Sequence, residues 1–268
     1  SDLEKAANYR AELAADYEKV RQQHAHKKGV ALVSADAARA NAFNAFAGEY
    51  ASYHPVAPKL TGIQVVEPAL DELVPYIDWS PFFQTWDLTG AFPAILEDKI
   101  VGETARQVYA DAQAMLQQLV AEQWLKPRGV FGLFPANRVG DDIEIYTDDA
   151  RQHTGMIWHN LRQQQERPAA KPNWCLADFI AEKQASNTIA DWIGGFAVSC
   201  GEGIESHLKR FESEHDDYRA IMLKALADRL AEAFAEWLHR EVRMKHWAYA
   251  ADEHLDNASL IKESYRGI

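Results

Sequence analysis

The chain has 268 residues, 47% of them hydrophobic, enough for one large domain with a real core or two small ones. A formal net charge of −12 without a run of Lys and Arg excludes the clustered cations that nucleic-acid phosphates require, and leaves the acidity as a device for solubility or as a face for a basic partner. No apolar run approaches the about 18 residues of a membrane span, no signal peptide is expected, and Cys175 and Cys200 stand in no metal or redox spacing, which points to a reducing cytoplasmic setting.

Residues 2–28 are rich in Ala, Glu, Lys and Gln, with Leu3, Ala6, Leu13, Tyr17 and Val20 loosely on one face. They predict an amphipathic helix, more polar than most, leading in from a preceding domain. Residues 34–46 carry no decisive period, and Pro55 and Pro58 force 53–59 to extend or turn. The run GIQVVE (62–67) reads as a strand, and Pro68 opens a short helix over 69–76, as proline does in a first helical turn. Next comes the densest aromatic cluster, IDWSPFFQTW (77–86), with Ser80 before Pro81 as the expected helix cap. Two readings of it stand. It is a core cluster with one surface carboxylate, Asp78, or it is a pocket wall, where aromatic surface beside a carboxylate suits a flat cationic ligand.

Residues 90–99 read as a linker around Pro93. A helix is predicted over 101–122 from Val108, Met115, Leu116, Leu119 and Val120, and Pro127 closes it off. Residues 129–149 read as a hairpin at the centre of a sheet that the helices cover. Its apolar run 130–134 should be buried on both faces. A turn follows over 135–142, and the alternating run 143–146 should have one wet face. A third strand is expected over 153–158, then a polar loop over 162–172 and a short apolar segment over 174–180. Another strand covers 191–199, in which Gly194 and Gly195 suggest a bulge or a close backbone approach. The stretch 200–203 reads as a plain turn. From Ile204 the pattern is helical, broken at His215-Asp216-Asp217 and resuming over 218–249. Leu223, Leu226, Leu230, Phe234 and Leu238 form the buried stripe of that last helix.

On the same helix Asp228, Glu232 and Glu236 follow at intervals of four and make one acidic line. Like charges at this spacing cost roughly 0.2–0.5 kcal/mol per pair, which Arg229 and Arg240 can relieve. The line is a solvated face or a surface for a basic or hydrogen-bonding partner. The ten His residues make no zinc spacing, and there is no G-x-G-x-x-G, no G-x-S-x-G and no cysteine-nucleophile signature. An independent methyltransferase of the Rossmann type is set aside for want of a glycine-rich loop. The residues by themselves support one acidic α+β domain rather than two.

Six segments carry a resemblance: IDWSPFF (77–83), PRGVFGLFPAN (127–137), DDIEIY (141–146), CLADF (175–179), HDDY (215–218) and KALADRLAEAFAE (224–236). Together, and in this order, they resemble the C-terminal reactivation domain of cobalamin-dependent methionine synthase. The likeness runs over residues 62–268 and is looser before that. It implies a helmet-shaped α+β fold, a bent antiparallel sheet with flanking helices, that binds S-adenosylmethionine. It divides the chain into residues 1–60, helix and linker from the preceding cobalamin domain, and 61–268, the reactivation domain. The implied task is reductive methylation of cob(II)alamin to methylcobalamin with an electron from flavodoxin or a related reductase. Cobalamin is then held by the neighbouring domain, and zinc belongs only to another domain of the full enzyme. By resemblance Asp78 and Glu263 belong to the S-adenosylmethionine site, and Asp228 and Glu232 face the cobalamin domain. No catalytic residue and no metal ligand are implied here. The family's R-P-A-x-G-Y motif, whose arginine would hold the ligand carboxylate, should begin directly after Ile268. A domain truncated at its C-terminal end is therefore expected, inactive alone. The competing expectation is a docking module that binds the cobalamin domain and flavodoxin with little ligand of its own.

Overall fold

The computed structural model describes residues 2–25, 30–47, 51–168, 171–185 and 188–266. Its sheet is antiparallel and has five strands: β1 (Gly62–Val66), β2 (Lys126–Val139), β3 (Asp142–Tyr146), β4 (Thr154–Trp158) and β5 (Asp191–Glu202). The order is β1-β2-β3-β4, with β5 on β2 as well. One edge of β2 pairs with β5 along most of its length; the other meets β1 over 129–133 and then β3 over 136–139.

β2 is thus longer than the apolar run from which it was predicted. Pro135 has no N–H for a ladder. It falls between the last β1 pair at Leu133 and the first β3 pair at Ala136, where that edge is changing partners. The expected turn over 135–142 shrinks to Gly140-Asp141, with Gly140 at φ 64 supplying the positive φ of a two-residue hairpin. Pro127 likewise lies inside β2 rather than before it. Phe131 and Leu133 are buried as expected, but Val130 is 37% exposed. β3 buries Ile143 and Ile145 on one face, but the other face is not wet as predicted: Glu144 is half-buried and Tyr146 is buried. Gly194 is a close approach, not a bulge: a Cβ there would stand 2.9 Å from Leu133 Cδ2, and the pairing through 194 and 195 is regular. The expected turn at 200–203 is strand through Glu202. Only Gly203, at φ 98, turns the chain into α6 (Ile204–Ser213).

One face of the sheet carries the main core. α5 (Gly102–Ala121) and α7 (Asp217–Glu241) pack there, and all five predicted stripe residues of α7 are fully buried. A Cβ on Gly129 would stand 2.7 Å from Phe234 Cζ, so this glycine sets how closely α7 approaches β2. Asp216 caps α7 by accepting from Arg219 N at 2.9 Å, which realises the predicted break. The helix does not run on to Tyr249. It widens into a π-helical turn, Val242–His246, and ends where Ala248 takes a positive φ.

On the opposite face a smaller cluster, Ala136, Ile143, Ile145, Cys175 and Ala177, lies under an excursion of the chain over 159–182. Arg162 clasps that excursion to the hairpin. Its guanidinium donates to both oxygens of the fully buried Asp178 at 2.8 and 2.6 Å, to Asp141 at 2.9 Å and to the Asn173 carbonyl at 2.7 Å. Hydrogen bonding to Asp178 holds this already basic group further up. Burial opposes ionisation of Asp141, but Arg162 and Arg39 hold its carboxyl below the usual range.

Shorter elements depart in detail. α3 (Leu70–Leu73) and a 3-10 turn (Val74–Tyr76) occupy the predicted helix, but Pro68 precedes the cap residue Ala69 instead of lying in the first turn. The expected linker holds a 3-10 turn, Ala94–Glu97, with Ile95 buried. The stretch without a period forms α2 (Ala35–Ala40), capped by Ser34 Oγ. It is fixed to the excursion by a Leu32–Gln165 bridge and by Asn41, which donates to Asn173 Oδ1 at 2.8 Å. α1 (Asp2–His24) is helical as predicted, but Tyr17 and Val20 on its apolar face are 56% and 49% exposed. The predicted end of that helix, Lys28, lies outside the described residues.

Candidate functional site

The aromatic cluster resolves as core. Phe82 and Phe83 are fully buried in α4 (Ser80–Gln84), and Trp79 packs edge-on against Phe82 and Tyr109 at 5.3 and 5.0 Å. These rings pack among themselves in the main core. Ser80 is the first residue of α4 rather than its cap, and its Oγ accepts from Phe92 N at 3.2 Å. The capping contact falls to Asp78, whose Oδ1 accepts from Ser80 N at 2.9 Å. Asp78 is half-buried, and among the described residues its Oδ2 accepts no hydrogen bond.

The last turns of α7 tie the Asp78 segment to the chain's final segment. Arg240 Nη1 donates to the hydroxyl of Tyr76, two residues before Asp78, at 3.3 Å. One turn earlier, Glu236 is half-buried and its Oε2 has no partner among the described residues. Burial pushes its carboxyl up; Arg243 opposes the shift, while Glu232 and Glu263 add to it. Glu263 is thus close enough to Glu236 for the two charges to interact. Glu263 is exposed and sits at φ 53, just after α8 (Asn257–Ile261).

Beneath them lies Arg243, fully buried in the π-helical turn. Its Nε and Nη2 each donate to one oxygen of Glu253 at 2.7 Å, and Nη1 donates to His239 Nδ1 at 2.8 Å. The Tyr265 ring covers the guanidinium at 4.1 Å. The Arg243 hydrogen bonds hold the Glu253 carboxyl below its usual range despite burial. None of this was visible in sequence. Arg243 stands in a mixed-charge run with no period that separates a buried arginine from a solvated one.

The acidic line divides. Asp228 is exposed and meets its neighbour Arg229 at 2.6 Å, and Glu232 is exposed as well. Only Glu236 turns inward. Arg240 faces Tyr76 and Glu241 rather than the line. Asp228 and Glu232 thus stand exposed, while Glu236, one turn on from Glu232, is the member of the line that is part-buried.

A concavity opens on the sheet face opposite α7. It encloses about 730 Å³ between Phe134, Ile145, Met156, Trp158 and Ile193, with Asp148 and Asp149 on its rim. Register explains it, because residues paired across antiparallel strands share a face, as Phe134–Ile193 and Ile145–Met156 do. Nearby in the sheet, Arg151 donates to the Ala136 and Asp191 carbonyls at 3.0 and 2.8 Å. Burial pushes the neighbouring Asp191 carboxyl up to about 6. Neither Asp78 nor Glu263 lines this cleft. Among the described residues no three His, Cys, Asp or Glu side chains gather as a metal ion would require, and no helix is long and apolar enough to cross a membrane.

Two comparisons bear on these sites. The family described as "Vitamin B12 dependent methionine synthase, activation domain" matches residues 69–268. Among solved structures, the crystal structure of the MetH reactivation domain bound to AdoHcy is 51% identical, with a TM-score of 0.82. The match covers 88% of this chain and 71% of that one.

Proposed function

The chain belongs to the activation-domain family of vitamin B12-dependent methionine synthases, and from that membership we propose that it binds S-adenosylmethionine between the Asp78 segment, the last turns of α7 and Glu263. The ligand carries an ammonium and a sulfonium. The residues present suit them: Asp78 with Oδ2 unengaged, Glu236 with an orphaned oxygen, and Glu263 beside it. The observation that carries this reading is 51% identity, over 88% of the chain, to a domain bound to AdoHcy.

In the enzyme the bound ligand would supply the methyl group and flavodoxin or a related reductase one electron, for the return of cob(II)alamin in the neighbouring domain to methylcobalamin. S-adenosylhomocysteine is the product that leaves. This chain's part is to bind and orient the donor. We assign α1 and the residues up to about 60 to the connection from the cobalamin domain, the reaction to the cytoplasm, and no turnover to the domain alone. Asp228 and Glu232, exposed and one helical turn apart, form the surface that meets the cobalamin domain. A carboxylate there raises the pKa of an approaching imidazole and favours its protonated form, which would hold an axial histidine off cobalt.

The exposure of Asp228 and Glu232 also favours a second reading, a docking module with little affinity for the ligand. Asp78→Asn in the enzyme separates the two. On the first reading it slows recovery from the cob(II) state and leaves primary turnover near the unsubstituted rate. Unchanged recovery favours the docking module.

A further inference from the structure

A guanidinium buried for stability alone is best served by oxygen acceptors, because it offers five N–H groups and accepts none. Arg243 is served differently. Two oxygens of Glu253 and Nδ1 of His239 take its hydrogen bonds, and its flat face is closed by the ring of Tyr265 at 4.1 Å. A guanidinium only donates, so Nδ1 is the unprotonated nitrogen of His239. The His239 and Tyr265 rings meet edge to face at 4.9 Å.

Tyr265 lies two residues after Glu263. The turn between them closes on α8, with Glu263 N donating to Leu260 O at 2.8 Å and Ser264 N to Ser259 O at 3.0 Å. Glu263 itself sits at φ 53, in the left-handed region that a residue with a Cβ occupies only when its surroundings impose it. Two anchors impose it here, the turn on one side and the Tyr265 stack on the other. The stack's base is in the π-helical turn that follows α7, a widening that is frequent at functional sites.

We propose that Arg243 and Tyr265 are positioning residues for the S-adenosylmethionine site. The Tyr265 ring, stacked on the buried guanidinium, holds the turn that carries Glu263, so that the Glu263 carboxylate is oriented before the cationic ligand arrives. A carboxylate restrained in advance loses less freedom on binding than one on a loose tail. This inference rests on the reading of Asp78 and Glu263 as ligand residues. It requires the ring of Tyr265 and is indifferent to its hydroxyl.

The test is calorimetric titration of S-adenosylhomocysteine into a methionine synthase that carries this domain. Tyr265→Phe keeps the ring and binds within about twofold of the unsubstituted enzyme. Tyr265→Leu removes the ring and binds about tenfold more weakly, the order of a partly desolvated cation–π contact. Arg243→Lys, which keeps the charge and loses the flat face, follows Tyr265→Leu. Tyr265→Leu binding as tightly as the unsubstituted enzyme overturns the proposal and leaves the ligand reading standing. Equal losses in Tyr265→Phe and Tyr265→Leu overturn it too, because they assign the effect to the hydroxyl. No binding by the unsubstituted enzyme overturns the ligand reading itself.

Discussion

Two buried arginines stand on opposite faces of the sheet, and their surroundings differ. Arg162 is enclosed by oxygen, both carboxylate oxygens of Asp178, one of Asp141 and the Asn173 carbonyl. Every strand of that clasp ends in scaffold, and what it holds is the 159–182 excursion over the smaller apolar cluster. Arg243 has one carboxylate, one imidazole and one aromatic ring, and the ring belongs to a segment that also carries an exposed carboxylate. The first network runs on through Asp141 to the exposed Arg39 of α2, which is also scaffold. The second ends at the surface, beside Glu236 and Glu263. Burial of a charged group marks a joint in both places, and on the proposal above the Arg243 joint is the one coupled to ligand.

Substitutions separate the two joints. Asp178→Ala leaves Arg162 buried with a single carboxylate and strips the acceptor from Cys175 N. It should cost about 3–5 kcal/mol in denaturant unfolding, with no change in ligand affinity of the folded fraction. Glu253→Gln keeps the shape and removes the charge, and should cost about 1–3 kcal/mol while also weakening S-adenosylhomocysteine. Its pH dependence has a definite sign. The folded-state carboxyl of Glu253 lies below its ordinary 4.5, so its contribution is full above that value and is lost as pH falls through the lower one. Glu253→Gln should therefore narrow the stability gap to the unsubstituted protein in acid. The smallest effect on stability belongs to Asp228→Asn with Glu232→Gln, within about 0.5 kcal/mol because both groups are exposed. In the full enzyme the same pair should move the cobalamin absorption spectrum toward the histidine-ligated form.

How much of this was legible in the sequence follows from what sets each feature. The stripe of α7 was readable because Leu223, Leu226, Leu230, Phe234 and Leu238 repeat at helical spacing and all five are buried. β2 was read too short because Pro135 and Asn137 are turn residues by habit. Here Pro135 lies where an edge changes partners, and the amide of Asn137 is spent on the Ala181 and Ile189 carbonyls at 3.0 and 2.9 Å. The face of α1 was legible as a pattern, but a pattern cannot say whether anything covers it. Asp78 was found by its neighbours, yet those rings proved to be core and the carboxylate a helix cap. Arg243, Glu253 and Tyr265 were missed altogether. Their link is spatial, made by a π-helical turn and a positive φ at Glu263, and neither has a sequence signature.

On the function proposed above, Asp78, Glu236 and Glu263 bind a cationic sulfonium ligand. Calorimetric titration of S-adenosylmethionine and S-adenosylhomocysteine into the enzyme carrying this domain, unsubstituted and as Asp78→Asn, tests it most directly. The account predicts saturable binding of both ligands, with Asp78→Asn weakening the sulfonium ligand by about tenfold, the order of one charge-assisted contact, and weakening the uncharged thioether less. Equal affinity of unsubstituted and Asp78→Asn protein for S-adenosylmethionine would contradict it.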